Sequence, residues 1–200
     1  IPAPEATTYV SPENNATEVT DATLVFQLGK YTDEYQVLVG TYADALDIVV
    51  DWTSELATTY TLADATNNTK YYWQVNTRNA KDVETIGEVY SFVTPLDAPQ
   101  NVTASATELY PDNNTTTISW SALESATLTG YNVYVNDVKQ NAELLTATSM
   151  TLAELPYGLN PGNLVEVKAV HGDLGESPAA SVYVEVAGSF RSEEHTSELQ

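Results

Sequence analysis

The chain is built from short segments in which apolar and polar positions alternate, separated by clusters of Asn, Asp, Gly and Pro. A period of two places successive side chains on opposite faces of an extended strand, burying one face and wetting the other. In the first half this pattern predicts strands at 22–28 (ATLVFQL), 34–41 (EYQVLVGT), 46–51 (LDIVVD), 58–62 (TTYTL), 70–78 (KYYWQVNTR) and 88–94 (EVYSFVT). The segments are rich in Thr, Val, Tyr and Ile, which suit a pleated, half-buried surface. No amphipathic helix of useful length is predicted.

The second half repeats the order. TLVFQL, with Leu24 and Phe26, corresponds to TISWSA, with Ile118 and Trp120. EYQVLVG sets Tyr35, Val37 and Val39 on one face, and GYNVYVN does the same with Tyr131, Val133 and Val135. Tyr71, Trp73 and Val75 align with Asn163, Val165 and Val167, and EVYSFVT with SVYVEV. Pro95 and Pro99 bracket the stretch between the copies; proline fixes its own φ and keeps the preceding residue out of the helical region, so a short, stiff boundary is expected at 96–99. The units are then 1–95 and 100–188, each of roughly seven strands, the size of an immunoglobulin-like β-sandwich. The expected fold is all-β, one sandwich used twice in tandem.

At these residues a family resemblance becomes specific. The second unit resembles a fibronectin type III domain in its proline-led opening (APQNVTA), Trp120 of the second strand, Tyr131 of the third, the run Val165, Val167, Ala169 of the sixth, and the GESPAAS turn into the last strand. The first unit is similar, with TKYYWQV followed after a loop by GEVYSFVTP, a combination common in such modules of secreted bacterial proteins. The resemblance covers about residues 6–188, and the expected structural core is Phe26, Tyr35, Tyr71, Trp73, Phe92, Trp120, Tyr131, Val133 and Val167. Three departures stand out. Phe26 occupies the usual Trp position. Ala65 replaces the Leu before the tyrosine corner, whose hydroxyl Tyr71 can still supply. In the second unit Asn163 stands in place of the corner Tyr after PYGLNPGN, so that loop is expected to be less firmly pinned.

Charge narrows the partners. Twenty-eight acidic against 7 basic residues give a net charge of −21, with the bases scattered singly. Nucleic acid and anionic lipid are excluded as partners, because phosphate attraction needs clustered Lys and Arg. No D-x-[DN]-x-[DN]-G loop is present to chelate calcium, and no cofactor is expected. No apolar run of eighteen residues exists, so direct membrane insertion of this segment is not expected. The charge reads as a solubilising extracellular or cell-surface coat, and a monomer is expected. The absence of cysteine excludes disulfides, thiolate metal sites and cysteine nucleophiles.

No catalytic set is legible. His171, in AVHGD, is the sole histidine outside the terminal decapeptide; it has no His or Cys to share a metal and reads as a solvated turn residue. Carboxylate pairs suited to glycoside hydrolysis are expected by density alone on so acidic a chain, and a sandwich core leaves no cleft for them. Trp73 and Trp120 lie on inward phases; Trp52 follows LDIVVD at an edge, and Tyr72 and Tyr90 have outward or ambiguous phases. Trp52 either packs beneath its loop or offers a face to a sugar. The loop HGDLGESP occupies the place where some relatives carry an integrin-binding RGD, but His171 replaces the Arg; Gly172 and Gly175 are expected in unusual dihedrals. Trp52, Asp173 and Glu176 are the candidate surface contacts. The triplets at Asn15, Asn67, Asn101, Asn113 and Asn114 match N-x-[ST] but read as turn chemistry.

The last ten residues, RSEEHTSELQ, resemble the in-frame translation of a common sequencing adapter. Such a segment is set aside in fold reasoning, with 189–200 expected as a disordered tail; without 191–200 the charge is still −19. The expected function is a non-catalytic spacer or adhesion module of a larger extracellular or surface bacterial protein, binding a surface protein or polysaccharide. The alternative is an accessory, carbohydrate-binding region of an extracellular peptidase or glycosidase.

Overall fold

The computed structural model describes residues 1–188; the tail expected at 189–200, with its adapter-like decapeptide, lies outside the described residues. The described residues are all-β, with no α-helix and one turn of 3-10 helix at Gly172–Leu174. They divide into two compact units, Ile1–Asp97 with His171–Gly175, and Ala98–Val170 with 176–188.

The first unit contains β1 (Thr8–Ser11), β2 (Thr23–Gln27), β3 (Glu34–Tyr42), β4 (Ala45–Thr53), β5 (Thr59–Thr61), β6 (Lys70–Arg78), β7 (Glu84–Thr85) and β8 (Tyr90–Val93). One sheet runs β1-β2-β5; the other runs β4-β3-β6, with β7 and β8 pairing successive lengths of β6. The inward phases of β2, β3 and β6 bury Leu24, Phe26, Val37, Trp73 and Val75 completely, with Phe92 from β8. Each such side chain contributes about 1.5–3 kcal/mol relative to exposure, which is why the alternation dictates the register. Phe26 tilts against Tyr35 at 5.9 Å between ring centroids, and Tyr71 against Phe92 at 5.5 Å.

Tyr71 makes the corner: its hydroxyl accepts a hydrogen bond from the Thr66 backbone N–H at 3.0 Å. The end of the unit is clamped nearby. Asn67 and Asn68 donate their side-chain amides to the two carboxylate oxygens of Asp97 at 2.8 and 2.6 Å, the Asp97 N–H returns a bond to Asn68 Oδ1 at 2.7 Å, and the Asn68 N–H bonds the Pro95 carbonyl at 2.9 Å. Leu96 is buried. The sequence pattern places the boundary at 96–99; Leu96 and Asp97 are held to the first unit by this clamp.

The second unit contains β9 (Gln100–Ala104), β10 (Glu108–Leu109), β11 (Thr115–Ser121), β12 (Gly130–Val135), β13 (Val138–Lys139), β14 (Ser149–Ala153), β15 (Asn163–Val170) and β16 (Ala180–Val186). Its sheets run β14-β11-β9 and β10-β16-β15-β12-β13, antiparallel except for the pair β10–β16. Ile118, Val133, Val165, Val167, Ala169 and Val184 are fully buried, and Trp120 meets Tyr131 edge-on at 5.3 Å.

The loop before β15 differs from expectation. Asn163 is fully buried and replaces the missing corner: its Nδ2 donates to the Pro156 carbonyl at 2.8 Å, and its Oδ1 accepts from Asn136 at 2.8 Å. A short amide thus pins PYGLNPGN from the strand end, where a tyrosine hydroxyl would reach from farther away. The Asn-rich triplets act as turn chemistry in part. Asn15 takes a positive φ of 64° in its turn and Asn114 bonds both the N–H and the carbonyl of Leu155, whereas Asn101 lies within β9, where its φ of 55° accompanies a register irregularity. Asparagine tolerates this left-handed region better than most residues.

Candidate functional site

Of the three contact residues expected from the sequence, Trp52 lies far along the chain from the other two, Asp173 and Glu176 stand three positions apart in one loop, and each has a different local fate. Trp52, near the end of edge strand β4, is half-buried. The Arg78 guanidinium lies over its ring, 4.5 Å from the centroid, which is cation–π geometry. The sheet ladder pairs Glu34 with Arg78, and Arg78 Nε donates to the Glu34 carboxylate, while Nη1 lies 3.7 Å from Asp82. That carboxylate contact raises the guanidinium's already high proton affinity. A shallow depression of about 400 Å³ beside it is walled by Asp33, Glu34, Ser54, Arg78, Asn79 and Asp82. One face of Trp52 is therefore occupied by an internally neutralised cation, which counts against sugar stacking on that face.

Glu176 is the hub of a polar cluster on the second unit. One carboxylate oxygen accepts from Asn132 Nδ2 at 2.6 Å and from the Tyr134 hydroxyl at 2.7 Å, and the other lies 3.7 Å from Lys168 Nζ. Lys168 also sits 5.0 Å from the Tyr134 ring centroid. Asn132 and Lys168 face each other across β12 and β15, so the strands set this geometry. Desolvation opposes ionisation of Glu176, but the Tyr134 and Asn132 hydrogen bonds, with the Lys168 and Lys139 charges, outweigh it and hold the carboxyl below its ordinary range. The same bond to Glu176, helped by burial, pushes the Tyr134 phenol up to about 12. A carboxylate held ionised accepts hydrogen bonds; it is a poor proton donor at neutral pH.

Asp173 is exposed in the 3-10 turn, where Gly172 and Gly175 take positive φ of 52° and 104°. His171 differs from the sequence reading: it is fully buried. Its Nε2 lies 3.1 Å from the Asp97 carbonyl oxygen, within the same compact unit, and its main chain closes the turn through bonds with Gly175 and Leu174. A buried imidazole engaged at a backbone carbonyl explains why the residue is not a solvated turn position.

The strongest polar feature of the first unit is one that the pattern of alternation misses. β1 is only four residues long, and its Tyr9 reaches the other sheet. The hydroxyl accepts from the Val75 N–H at 3.0 Å and donates to the Glu88 carbonyl at 2.7 Å. It splices a gap in the ladder between β7 and β8. Around it, Gln74 Nε2 bonds the Gly87 carbonyl at 2.6 Å and the Gly87 N–H bonds Asn76 Oδ1 at 3.1 Å. Gly87 is required, because a Cβ there would overlap the Val75 carbonyl and the Tyr9 hydroxyl. The Tyr9 ring stacks on Tyr90 at 4.4 Å and meets Trp73 edge-on at 4.5 Å. Burial, only partly offset by the Val75 bond, pushes its phenol up to about 12. The signal available in the sequence is Gly87 itself, a glycine interrupting a strand pattern.

Among the described residues no group of three or more His, Cys, Asp or Glu is placed to hold a metal ion, and no helix is long and apolar enough to cross a membrane.

Two sandwiches, each with a three-stranded sheet packed on a larger one around an aromatic plug, define a tandem of fibronectin type III-like modules. No protein-family model matches the chain, and no curated protein matches it. Among solved structures, a two-domain fibronectin type III segment of chicken tenascin is similar with a TM-score of 0.53 at 15% identity, over 92% of this chain and 99% of that one. The fibronectin(III)-like modules of Clostridium thermocellum CbhA give 0.38 at 15% identity, over 90% and 94% of the two chains. The FN1–FN3 domains of chicken CNTN1 give 0.33 at 15% identity, over 92% of this chain and 68% of that one. At this identity the likeness shows the fold.

Proposed function

We propose that the chain is a non-catalytic tandem module, acting as spacer and adhesion element in a larger extracellular or cell-surface bacterial protein. The observation that carries this reading is the engagement of its chemistry within the fold. Glu176 is engaged by Asn132, Tyr134 and Lys168, Arg78 by Glu34 and Asp82, and His171 is buried at a backbone carbonyl. Each core is closed by its own side chains, which leaves surfaces and edges as the working parts. The acidic balance suits a solvated exterior position.

The test is turnover by recombinant residues 1–188 on panels of peptide and glycoside substrates, with Glu176→Gln and Asp173→Asn variants in parallel. No turnover is expected. Turnover that one carboxylate substitution abolishes would overturn the reading.

A further inference from the structure

We propose that the free edge of β4 takes up an extended, lysine- or arginine-rich segment of a partner protein as an added strand; this rests on the adhesion reading above and names its surface and partner. β4 is nine residues long and ends its sheet, pairing β3 on one side with no strand on the other among the described residues. Its main-chain groups on that side are a template for a further strand. Ile48 on the strand is an exposed apolar side chain, as is Tyr42 at the end of β3 across the hairpin.

The charges along the edge select the occupant. Asp44, Asp47 and Asp51 follow one another along the strand and its turn, and none is in an ion pair among the described residues. The ladder pairs Val39 with Asp47, Leu38 with Ile48 and Val37 with Val50, so β4 carries one extra residue, Val49, between the last two pairs. Val49 and Val50 both pack on the core. A second register shift follows between Val50 and Thr53, and there the Gln36 side-chain amide bonds Asp51 at 3.2 Å, which sets Asp51 on the face of Gln36. Asp47 pairs with Val39 and Asp51 bonds Gln36, three β3 positions on, so the two carboxylates lie roughly 10 Å apart along the strand and on opposite faces. Lysines at i and i+3 of an extended peptide have that same spacing and that same alternation of face.

A second copy of β4 is a poor occupant, since antiparallel self-pairing sets these carboxylates against one another. The register shifts in β4 keep the contact short. What the edge repels in itself it attracts in a cationic strand.

The probe is the synthetic peptide KVTKVTKV, titrated into the full chain and followed by amide NMR. Saturable shifts confined to residues 42–53, with slowed amide exchange there, are the expected result. The isomer KKKVVVTT has the same composition but the wrong spacing and should bind at least about tenfold more weakly, as should the Asp47→Lys/Asp51→Lys variant. Asp44→Lys/Asp47→Lys, which leaves the Gln36 bond intact, serves if the first variant does not fold. Equal binding of the two peptides, shifts spread over other acidic surface, or dimerisation of the free chain through β4 would each overturn the proposal. Failure here leaves the absence of turnover untouched, whereas turnover overturns the module reading without moving the β4 shifts.

Discussion

Tyr9→Phe keeps the ring in its slot between Tyr90 and Trp73 and removes one oxygen, which makes it a clean probe of the splice between the two sheets. The two lost bonds are unequal. Val75 is fully buried, so its N–H is stranded, whereas the Glu88 carbonyl lies at a more exposed site and can turn to water. A stranded buried donor costs about 1–3 kcal/mol, and we expect about 2 kcal/mol for the substitution. For a unit of this size each kcal/mol moves the midpoint by roughly 4–8 °C, so the calorimetric transition of the first unit should fall by roughly 8–16 °C. Amide exchange supplies the local readout: Val75 should lose protection ahead of its neighbours on β6. A loss below about 0.5 kcal/mol, with Val75 exchange unchanged, would refute the role assigned to the hydroxyl. The alkaline limb gives an independent check. The folded phenol is raised to about 12 against an unfolded value near 10, so the protonated hydroxyl stabilises the fold fully below pH 10 and that contribution is lost as pH rises toward 12. The Phe variant should lack this component of alkaline destabilisation.

Gly87→Ala forces a methyl into the same splice and should cost about 3 kcal/mol, more than Tyr9→Phe, as read by chemical denaturation. Asn163→Val keeps the bulk and strands the Pro156 carbonyl and the Asn136 amide; a loss of about 2 kcal/mol is expected in the second unit, with the PYGLNPGN loop newly sensitive to protease. Glu176→Gln removes the carboxylate that holds the Tyr134 proton, so the Tyr134 phenol should titrate closer to its ordinary value near 10 in an ultraviolet pH titration.

Periodicity recovers much of this fold and little of its polar wiring, for a physical reason. Alternation reports which face of a strand is dry, and the positions of Val37 and Val133 follow from their own neighbours in sequence. Tyr9 gains its role from Val75 and Glu88, far along the chain, and a four-residue strand has too few positions to show a period. His171 looks solvated because it sits beside Gly and Asp; its burial depends on where the Asp97 carbonyl arrives. Asn163 shows the limit of motif matching, because a missing tyrosine predicts a looser loop when only the motif is considered, whereas the amide supplies bonds of its own. In β4 the extra residue turns both Val49 and Val50 toward the core, which strict alternation forbids.

The Asn68–Asp97 clamp has a mechanical consequence. Tension applied to the first unit from residue 98 meets Asp97, Leu96 and Pro95 before it reaches β8 at Tyr90–Val93. The bonds at that point anchor to Asn67 and Asn68, directly ahead of β6, the strand that β8 pairs with. Load entering there is expected to pass to β6 rather than to the end of β8, with the clamp rupturing before β8 peels, an order that single-molecule pulling of Asp97→Ala against the native chain would read. A module used as a spacer would thus carry its own fuse at the boundary, a few hydrogen bonds that yield first and leave the sandwich closed.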